Sequence, residues 1–326
     1  CEAWSAAEDA DADAARAAAA DQWTRVMDRW QEVEVMQLGP AGSSLTTVGG
    51  EDLRDAIYSW PTVNACRVDQ ETVYGTWAGA GFFTDNLVTV YGLDALEVLL
   101  FSAPGEHGCP PQVDIAAAGS WDALGLDGVQ QRRADYAVVV AGGVADTVDA
   151  LVARWAERGF GAALAAGTAP YDGQQQALDA VFDALFYVES SVRDRKLGRP
   201  LGLADCVGEA CLDEVESPIA GLSHRWVAAN LRGFRALFTG GGGEGMDDLL
   251  AAVGRPELAD EVLAATDAAD AAAAALTVPV DAAATTDPTP AVALHDAVAA
   301  LGDLLESDVA TTLALTVPAE AAGDND

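Results

Sequence analysis

The segment that decides the fold lies at residues 84–101 and reads TDNLVTVYGLDALEVLLF. Apolar side chains occupy almost every face of a helical wheel drawn through it. A membrane-spanning helix needs about 20 predominantly apolar residues without charges, and this stretch is shorter and carries Asp94 and Glu97. The pattern therefore predicts a buried core helix that begins at a cap on Thr84 or Asp85 and ends at Phe101.

Asp94 and Glu97 are three residues apart, so they share one face of the predicted helix. Burial of an unpaired carboxylate costs several kcal/mol, and each acid is therefore expected to have a partner. One alternative is a bound cation, and Gly92 would let a ligand or a neighbouring helix approach closely. The other alternative is a buried ion pair that holds two helices together, with an arginine chosen from Arg67, Arg193 and Arg232.

Helical periodicity continues on both sides of this segment, and no alternation of period two persists. We predict an all-α protein of two helical bundles packed side by side with a groove between them. The expected organisation is an acidic, Ala-rich tether (1–20), an N-terminal bundle (21–165), a C-terminal bundle (171–316) and a disordered tail (317–326). Predicted helices run through 23–38, 61–80, 84–101, 129–158, 174–196, 224–238, 246–253, 256–275 and 290–313.

The composition is strongly acidic. The 326 residues include 52 Asp and Glu against 17 Lys and Arg, which gives a net charge of −35, and Lys196 is the only lysine. Such a charge argues against nucleic acid and against anionic lipid head groups as partners. No uncharged apolar stretch is long enough to suggest a transmembrane helix.

Five cysteines point to an exported protein. Cys1 begins the sequence, as lipoprotein processing would leave it, and we expect it to carry a lipid anchor; the alternative is that the sequence merely starts there. The other four allow three pairings. We predict the disulfide Cys206–Cys211, because these cysteines lie close together in a Gly-rich loop, and Cys66–Cys109, because each lies beside a helix end or a Pro-rich turn. The alternative is a four-thiolate zinc site, which the absence of C-x2-C spacing disfavours.

Four stretches resemble the imelysin-like proteins, in the same order along residues 58–240. The segment 92–101 is similar to the family's G-x-H-x-x-E signature, except that Asp94 stands where the family has histidine. The other three are YSWPTVNACRVDQ at 58–70, KLGRPLG at 196–202, and ESP at 216–218 followed by Ser223 and by NLRG at 230–233.

The resemblance implies an all-helical, exported and often lipid-anchored protein of bacterial iron uptake, with a site in the groove at the signature. The candidate groove residues on this chain are Gly92, Asp94, Glu97, Arg67, Ser217, Pro218, Ser223 and Asn230. For Ser217, Ser223 and Asn230 the alternative role is a helix cap or a hydrogen bond between helices.

The change from histidine to Asp94 alters the expected chemistry. Two carboxylates form an all-oxygen pair that suits ferric iron or another hard cation, such as calcium, better than zinc. Some family members are classed as M75 peptidases, but no HxxE motif and no nucleophile elbow is present here. We therefore expect no enzyme and no catalytic residue.

The expected function is that of a non-enzymatic lipoprotein that binds a cation, an iron chelate or a small ligand at Asp94 and Glu97. The alternative is an accessory interaction protein of an envelope transport system, in which both acids are structural; an M75-type metallopeptidase is the third. Expected partners are an iron source or a transport component, and we expect a monomer. Glu2, directly after Cys1, favours the outer membrane, facing the periplasm or the cell surface.

Overall fold

The computed structural model describes residues 1–8, 10–156, 158–206 and 210–318 of the chain. Within these ranges every regular element is an α-, 3-10 or π-helix, and none of these residues lies in a β-strand. The predicted all-α class is therefore confirmed. Most of the predicted tail (residues 319–326) lies outside the described residues.

Two compact units divide the chain at boundaries that differ from the predicted domains. The first unit contains Cys1–Met27 and Asp52–Arg158, and the second contains Asp28–Glu51 and the described part of Gly159–Asp326. Helix α2 passes through the boundary, so its last two turns belong to the second unit. The helices of the first unit are α1 (Glu2–Ser5), α2 (Ala10–Glu34), α3 (Leu53–Ile57), α4 (Ala65–Tyr74), α5 (Phe82–Asp85), α6 (Leu93–Phe101), α7 (Asp114–Ala117) and α8 (Ser120–Ala156), with 3-10 turns at Thr76–Ala78 and Val88–Val90.

The N-terminal residues, predicted as a tether, are helical and packed in this structure. Trp4 is only 3% exposed, and α1 packs against α8. Ser5 donates its hydroxyl to Asp135 at 2.5 Å, and Gln131 donates to the carbonyl of Ser5 at 3.0 Å. The Ala-rich composition hid this packing because a single side chain of α1, that of Trp4, is buried.

The predicted helix over 84–101 is three short elements rather than one. Its last part, α6, begins only at Leu93 because Gly92 adopts a φ of +103°, a conformation that L side chains rarely take. The β-branched run Val88–Val90 forms a 3-10 turn, and Leu87 and Tyr91 are extended. Helix α6 is buried as predicted and packs against α4 and α8.

The predicted helix over 61–80 is also shorter. Pro61 follows a cis peptide bond instead of opening a helix. Helix α4 begins after Asn64, whose side chain caps it by accepting from the N–H of Arg67 at 3.0 Å, and it ends where Gly75 takes a left-handed conformation.

The second unit has the larger apolar core. Helices α10, α12, α14 and α16 surround that core together with a π-helix, Val188–Gly198. The elements are the end of α2, α9 (Phe160–Ala166), α10 (Gln174–Leu185), the π-helix, α11 (Arg199–Leu201), α12 (Ser223–Phe238), α13 (Met246–Ala252), α14 (Pro256–Ala275), α15 (Val280–Thr286), α16 (Thr289–Asp303), a second π-helix (Leu304–Val309) and α17 (Ala310–Leu313), with 3-10 turns at Gly39–Ala41, Leu212–Glu214 and Gly240–Gly242.

One stretch, Ser120–Ala166, is long and apolar enough to cross a membrane by length and composition alone. It contains charged residues, among them Asp146 and Asp149, so it is not the uncharged stretch that the sequence analysis excluded. A long core helix of a soluble protein meets the same criteria. Helix α8, which makes up most of the stretch, packs against α1, α3, α4, α6 and α7 in the first unit.

Candidate functional site

Asp94 lies in the first turn of α6, and its carboxylate is sealed from solvent at 3% exposure. Its Oδ2 accepts hydrogen bonds from the N–H of Ser59 at 2.9 Å and from the hydroxyl of Ser59 at 2.6 Å. Its Oδ1 accepts from the N–H of Ala95 at 3.0 Å. Both oxygens are thus already engaged as acceptors within the protein.

Burial raises the pKa of Asp94 from 3.8 to about 7. The hydrogen bonds from Ser59 and Ala95 oppose this shift, and so does the positive charge of Arg54. These effects only partly offset the rise in the pKa of Asp94, because Arg54 acts on it through its charge at a distance. The Nη1 of Arg54 forms an ion pair with Asp55 at 3.0 Å. Asp94 therefore titrates near neutral pH, even though it replaces the histidine that would be expected to do so.

Because Gly92 has no side chain, the end of α3 at Ile57 can lie close to the start of α6. A Cβ atom at this position would lie 3.1 Å from the carbonyl oxygen of Ile57 and 2.8 Å from Oδ1 of Asp94. Glu97, one turn further along the helix, is buried at 4% exposure. Gly92, Asp94 and Glu97 thus lie at the start of one buried helix, whereas the sequence analysis placed them inside a longer one.

Each of the three arginines considered as a partner forms an ion pair with an acid other than Asp94, and a contact between one of them and Glu97 stays a prediction. Arg67 donates to Glu71 at 2.8 Å, and Arg232 donates to Glu32 at 2.8 Å. Arg193 pairs with Glu189 at 2.7 Å and with Asp194 at 2.6 Å. The partner of Asp94 that the sequence analysis missed is Ser59. A hydrogen bond from a backbone N–H 35 residues away leaves no pattern in the sequence.

The other candidate groove residues, Ser217, Pro218, Ser223 and Asn230, belong to the second unit. Ser217 accepts a hydrogen bond from the indole N–H of Trp226 at 2.8 Å. Ser223 accepts from the N–H of Val280 at 2.9 Å. Both serines are buried, so these contacts agree with the alternative role as hydrogen bonds between elements.

Asn230 belongs to a buried polar cluster centred on Lys196, the only lysine. The Nζ of Lys196 donates to Oε1 of Gln31 at 2.6 Å and to Oδ1 of Asn230 at 2.9 Å. It also forms ion pairs with Glu216 at 3.0 Å and Glu34 at 3.6 Å. The cluster joins the end of α2, the first π-helix, the loop before α12, and α12 itself.

A second buried ion pair lies in the first unit. The guanidinium of Arg133 donates to Asp69 at 3.1 Å and to the carbonyl oxygens of Ala103 and Glu106 at 3.1 and 2.6 Å. Burial raises the pKa of Asp69, and Arg133 partly offsets the rise. This pair holds the loop that ends at the disulfide Cys66–Cys109.

Both predicted disulfides, Cys66–Cys109 and Cys206–Cys211, are present. The three histidines lie apart from Asp94 in the sequence and in their contacts. His107 packs against Trp121, His295 contacts Asp296, and burial together with Arg225 lowers the pKa of His224.

Comparison with known proteins agrees with this fold. A structure described as an imelysin-like protein from Psychrobacter arcticum 273-4 aligns with 96% of this chain and 84% of its own, at a TM-score of 0.59 and 20% identity. No curated protein matches the chain. The sequence profile of the imelysin family (peptidase M75) matches residues 2–307, and the chain therefore belongs to the imelysin family.

Proposed function

We propose that this protein is a non-enzymatic, exported member of the family that serves bacterial iron uptake as an accessory interaction protein of the cell envelope. The observation that carries the proposal is the state of Asp94 at the family signature. Its two oxygens accept three hydrogen bonds within the protein, and its side chain is sealed from water. A catalytic metal needs ligands with free lone pairs and an open position for water.

The same observation favours the accessory role over a cation site at Asp94 and Glu97. A ferric or calcium ion bound through Oδ2 would have to displace hydrogen bonds from Ser59, and each lost bond to a buried charged group costs about 1.5–3 kcal/mol. An ion bound through Oδ1 would have to reach a side chain that is sealed from water. Two carboxylates alone also supply fewer oxygens than the six or more that calcium takes. Hard-cation binding is accordingly the principal outcome that would overturn the proposal.

Export and lipid anchoring are part of the proposal. Disulfides persist in oxidising compartments, and this chain carries two. Cys1 is the cysteine left outside these pairs. A lipid on Cys1 would place the protein at a membrane, with the outer membrane favoured and the periplasm or cell surface as its environment, and its partner would be an iron source or a transport component.

The decisive experiment measures uptake of radioactive iron under iron limitation in the bacterium that encodes this chain. Deletion of the gene is expected to lower uptake. Complementation by the wild type and by Asp94→Asn/Glu97→Gln is expected to restore it equally, provided that circular dichroism shows the variant folded. Deletion without effect on uptake, or a folded variant that fails to complement, would overturn the proposal.

A calorimetric titration of the soluble chain with ferric citrate, calcium and zinc separates the alternatives further. The reference is a matched variant with two exposed acids changed, Asp122→Asn/Asp127→Asn. Saturable heat that is lost in Asp94→Asn/Glu97→Gln and kept in the reference variant would establish a cation site. Zinc-dependent hydrolysis of a fluorescent casein by the wild type would establish a peptidase.

A further inference from the structure

The two disulfides lie in different surroundings. Cys109 is buried in a small apolar cluster with Ile115, Trp121 and Val129, whereas its partner Cys66 is only partly buried. Cys206 and Cys211 are each half-exposed and lie among charged side chains of the second unit. A reductant in solution can therefore approach Cys206–Cys211 at either cysteine, and Cys66–Cys109 at Cys66 alone.

A third metal-binding group lies beside the exposed disulfide. The sulfur atoms of Cys206 and Cys211 and a carboxylate oxygen of Glu214 all lie within 4.8 Å of one another. Glu214 is held close because its N–H donates to the carbonyl of Cys211 at 3.0 Å, in the 3-10 turn Leu212–Glu214. Within the described residues, no other three side chains of the types that usually bind metals approach so closely.

Arg199 forms hydrogen bonds with two of these three residues. Its carbonyl accepts from the N–H of Cys211 at 3.1 Å, and its Nη1 donates to Oε2 of Glu214 at 2.9 Å. The ion pair engages Oε2 of Glu214, so Oε1 is the carboxylate oxygen that this contact does not use. Such a partner fixes the orientation of a ligating carboxylate, as outer contacts do in known metal sites.

We propose that reduction converts Cys206, Cys211 and Glu214 into a binding site for zinc or a metal ion of similar softness. A dithiol supplies two electrons and two protons, the S–S bond breaks, two thiols form, and the dithiol is oxidised to its own disulfide. On binding, the metal forms two bonds to sulfur and the two thiol protons are released to solvent.

The geometry suits such a metal. The Cα atoms of Cys206 and Cys211 are 6.0 Å apart. Two thiolates on a tetrahedral zinc lie about 3.8 Å from each other, given Zn–S bonds of about 2.3 Å, so the sulfurs need only rotate apart. Two sulfurs and one oxygen favour zinc over ferric iron or calcium, and water would complete the coordination.

The test uses the full chain with Cys1→Ser, after mild treatment with dithiothreitol and removal of the excess. Alkylation and mass spectrometry identify which pair has been reduced. Cobalt is the spectroscopic probe, through its thiolate charge-transfer absorption, and zinc is the competitor. The reduced chain is expected to bind one equivalent of either metal, and the oxidised chain is expected to show no such absorption.

Variants decide the assignment. Cys206→Ser/Cys211→Ser is expected to abolish the absorption, and Glu214→Gln is expected to weaken zinc binding by at least about tenfold. The matched control is Glu257→Gln, since Glu257 is also an exposed glutamate paired with an arginine, Arg255. The proposal is overturned if the reduced, folded chain binds no metal, if the double serine variant still binds it, or if Glu214→Gln and Glu257→Gln behave alike. None of these results depends on Asp94.

Discussion

Ser59 donates two hydrogen bonds to a single carboxylate oxygen of Asp94, one from its backbone N–H and one from its hydroxyl. The two residues are 35 positions apart in the sequence. Their contact ties the segment after α3 to the first turn of α6, where Gly92 already lies against Ile57. The segment around Asp94 is thus held by a buried hydrogen-bonded contact within the first unit of this chain.

Ser59→Ala tests whether the contact between Ser59 and Asp94 stabilises the protein. The variant removes one donor from a buried carboxylate, so the free energy of unfolding is expected to fall by about 1–3 kcal/mol. Urea denaturation at fixed pH measures the change. The control is Ser307→Ala, because Ser307 is exposed and its hydroxyl contacts the carbonyl of Asp303 and the carboxylate of Asp308, both close to it in the sequence. This variant is expected to change stability by less than about 0.5 kcal/mol. Equal effects of the two variants would contradict a structural role for Ser59.

The raised pKa of Asp94 predicts a pH dependence of stability. Between pH 3.8 and about 7 the native chain keeps a proton that the unfolded chain has lost, so this contribution to stability is present at low pH and fades as the pH rises towards 7. About three pKa units correspond to at most about 4 kcal/mol.

Asp94→Asn removes the titrating group. The difference in unfolding free energy between wild type and variant is therefore expected to shift against the wild type from pH 4 to pH 7 and to stay level above pH 7. Denaturation curves across this range measure it, with Asp122→Asn as an exposed control. A constant difference over the whole range would show that Asp94 does not titrate near neutral pH.

The sequence closely predicted two helices of the Ala-rich C-terminal part, where alanine favours the helix. The segment 256–275 forms one helix with the predicted bounds, and 246–253 differs from α13 by one residue. The prediction of one helix over 84–101 was wrong because apolar residues on all faces show no helical periodicity that would locate the helix ends. A positive φ at Gly92 and a β-branched run at 88–90 then decided the backbone.

The sequence indicated the site by residue type and missed its partners. Buried acids demand partners, and the prediction that Asp94 has one holds, but long-range hydrogen bonds such as that from Ser59 carry no local signal. Lys196 could have been found, since a lone lysine among 52 acids inside a motif that resembles the family's is unusual. Its partner Gln31 lies 165 residues away and could not have been predicted.

Lys196→Met tests the buried cluster of the second unit. The variant leaves Glu34 and Glu216 without their ammonium partner, and the expected loss of stability is about 3–5 kcal/mol. Adding Glu216→Gln removes one stranded charge and is expected to recover part of the loss. Chemical denaturation of all four members of this double-mutant cycle measures the coupling. Arg255→Met, which breaks an exposed pair with Glu257, is expected to cost less than about 1 kcal/mol. Purely additive changes would contradict the cluster.

We predict opposite effects on stability when alanine replaces two glycines that lie within helices, Gly233 and Gly142. A Cβ on Gly233 in α12 would lie 1.9 Å from the carbonyl oxygen of Glu32, so Gly233→Ala must push α12 from the end of α2. The expected cost is about 1–3 kcal/mol, typical of overpacking. A Cβ on Gly142 in α8 would meet no atom within 4 Å, and Gly142→Ala is expected to stabilise the helix by about 0.5–1 kcal/mol. Thermal denaturation of both variants distinguishes the cases. A melting temperature of Gly233→Ala at or above that of the wild type would mean that close packing of α12 on α2 does not constrain Gly233, and a lowered melting temperature of Gly142→Ala would contradict the open space at Gly142.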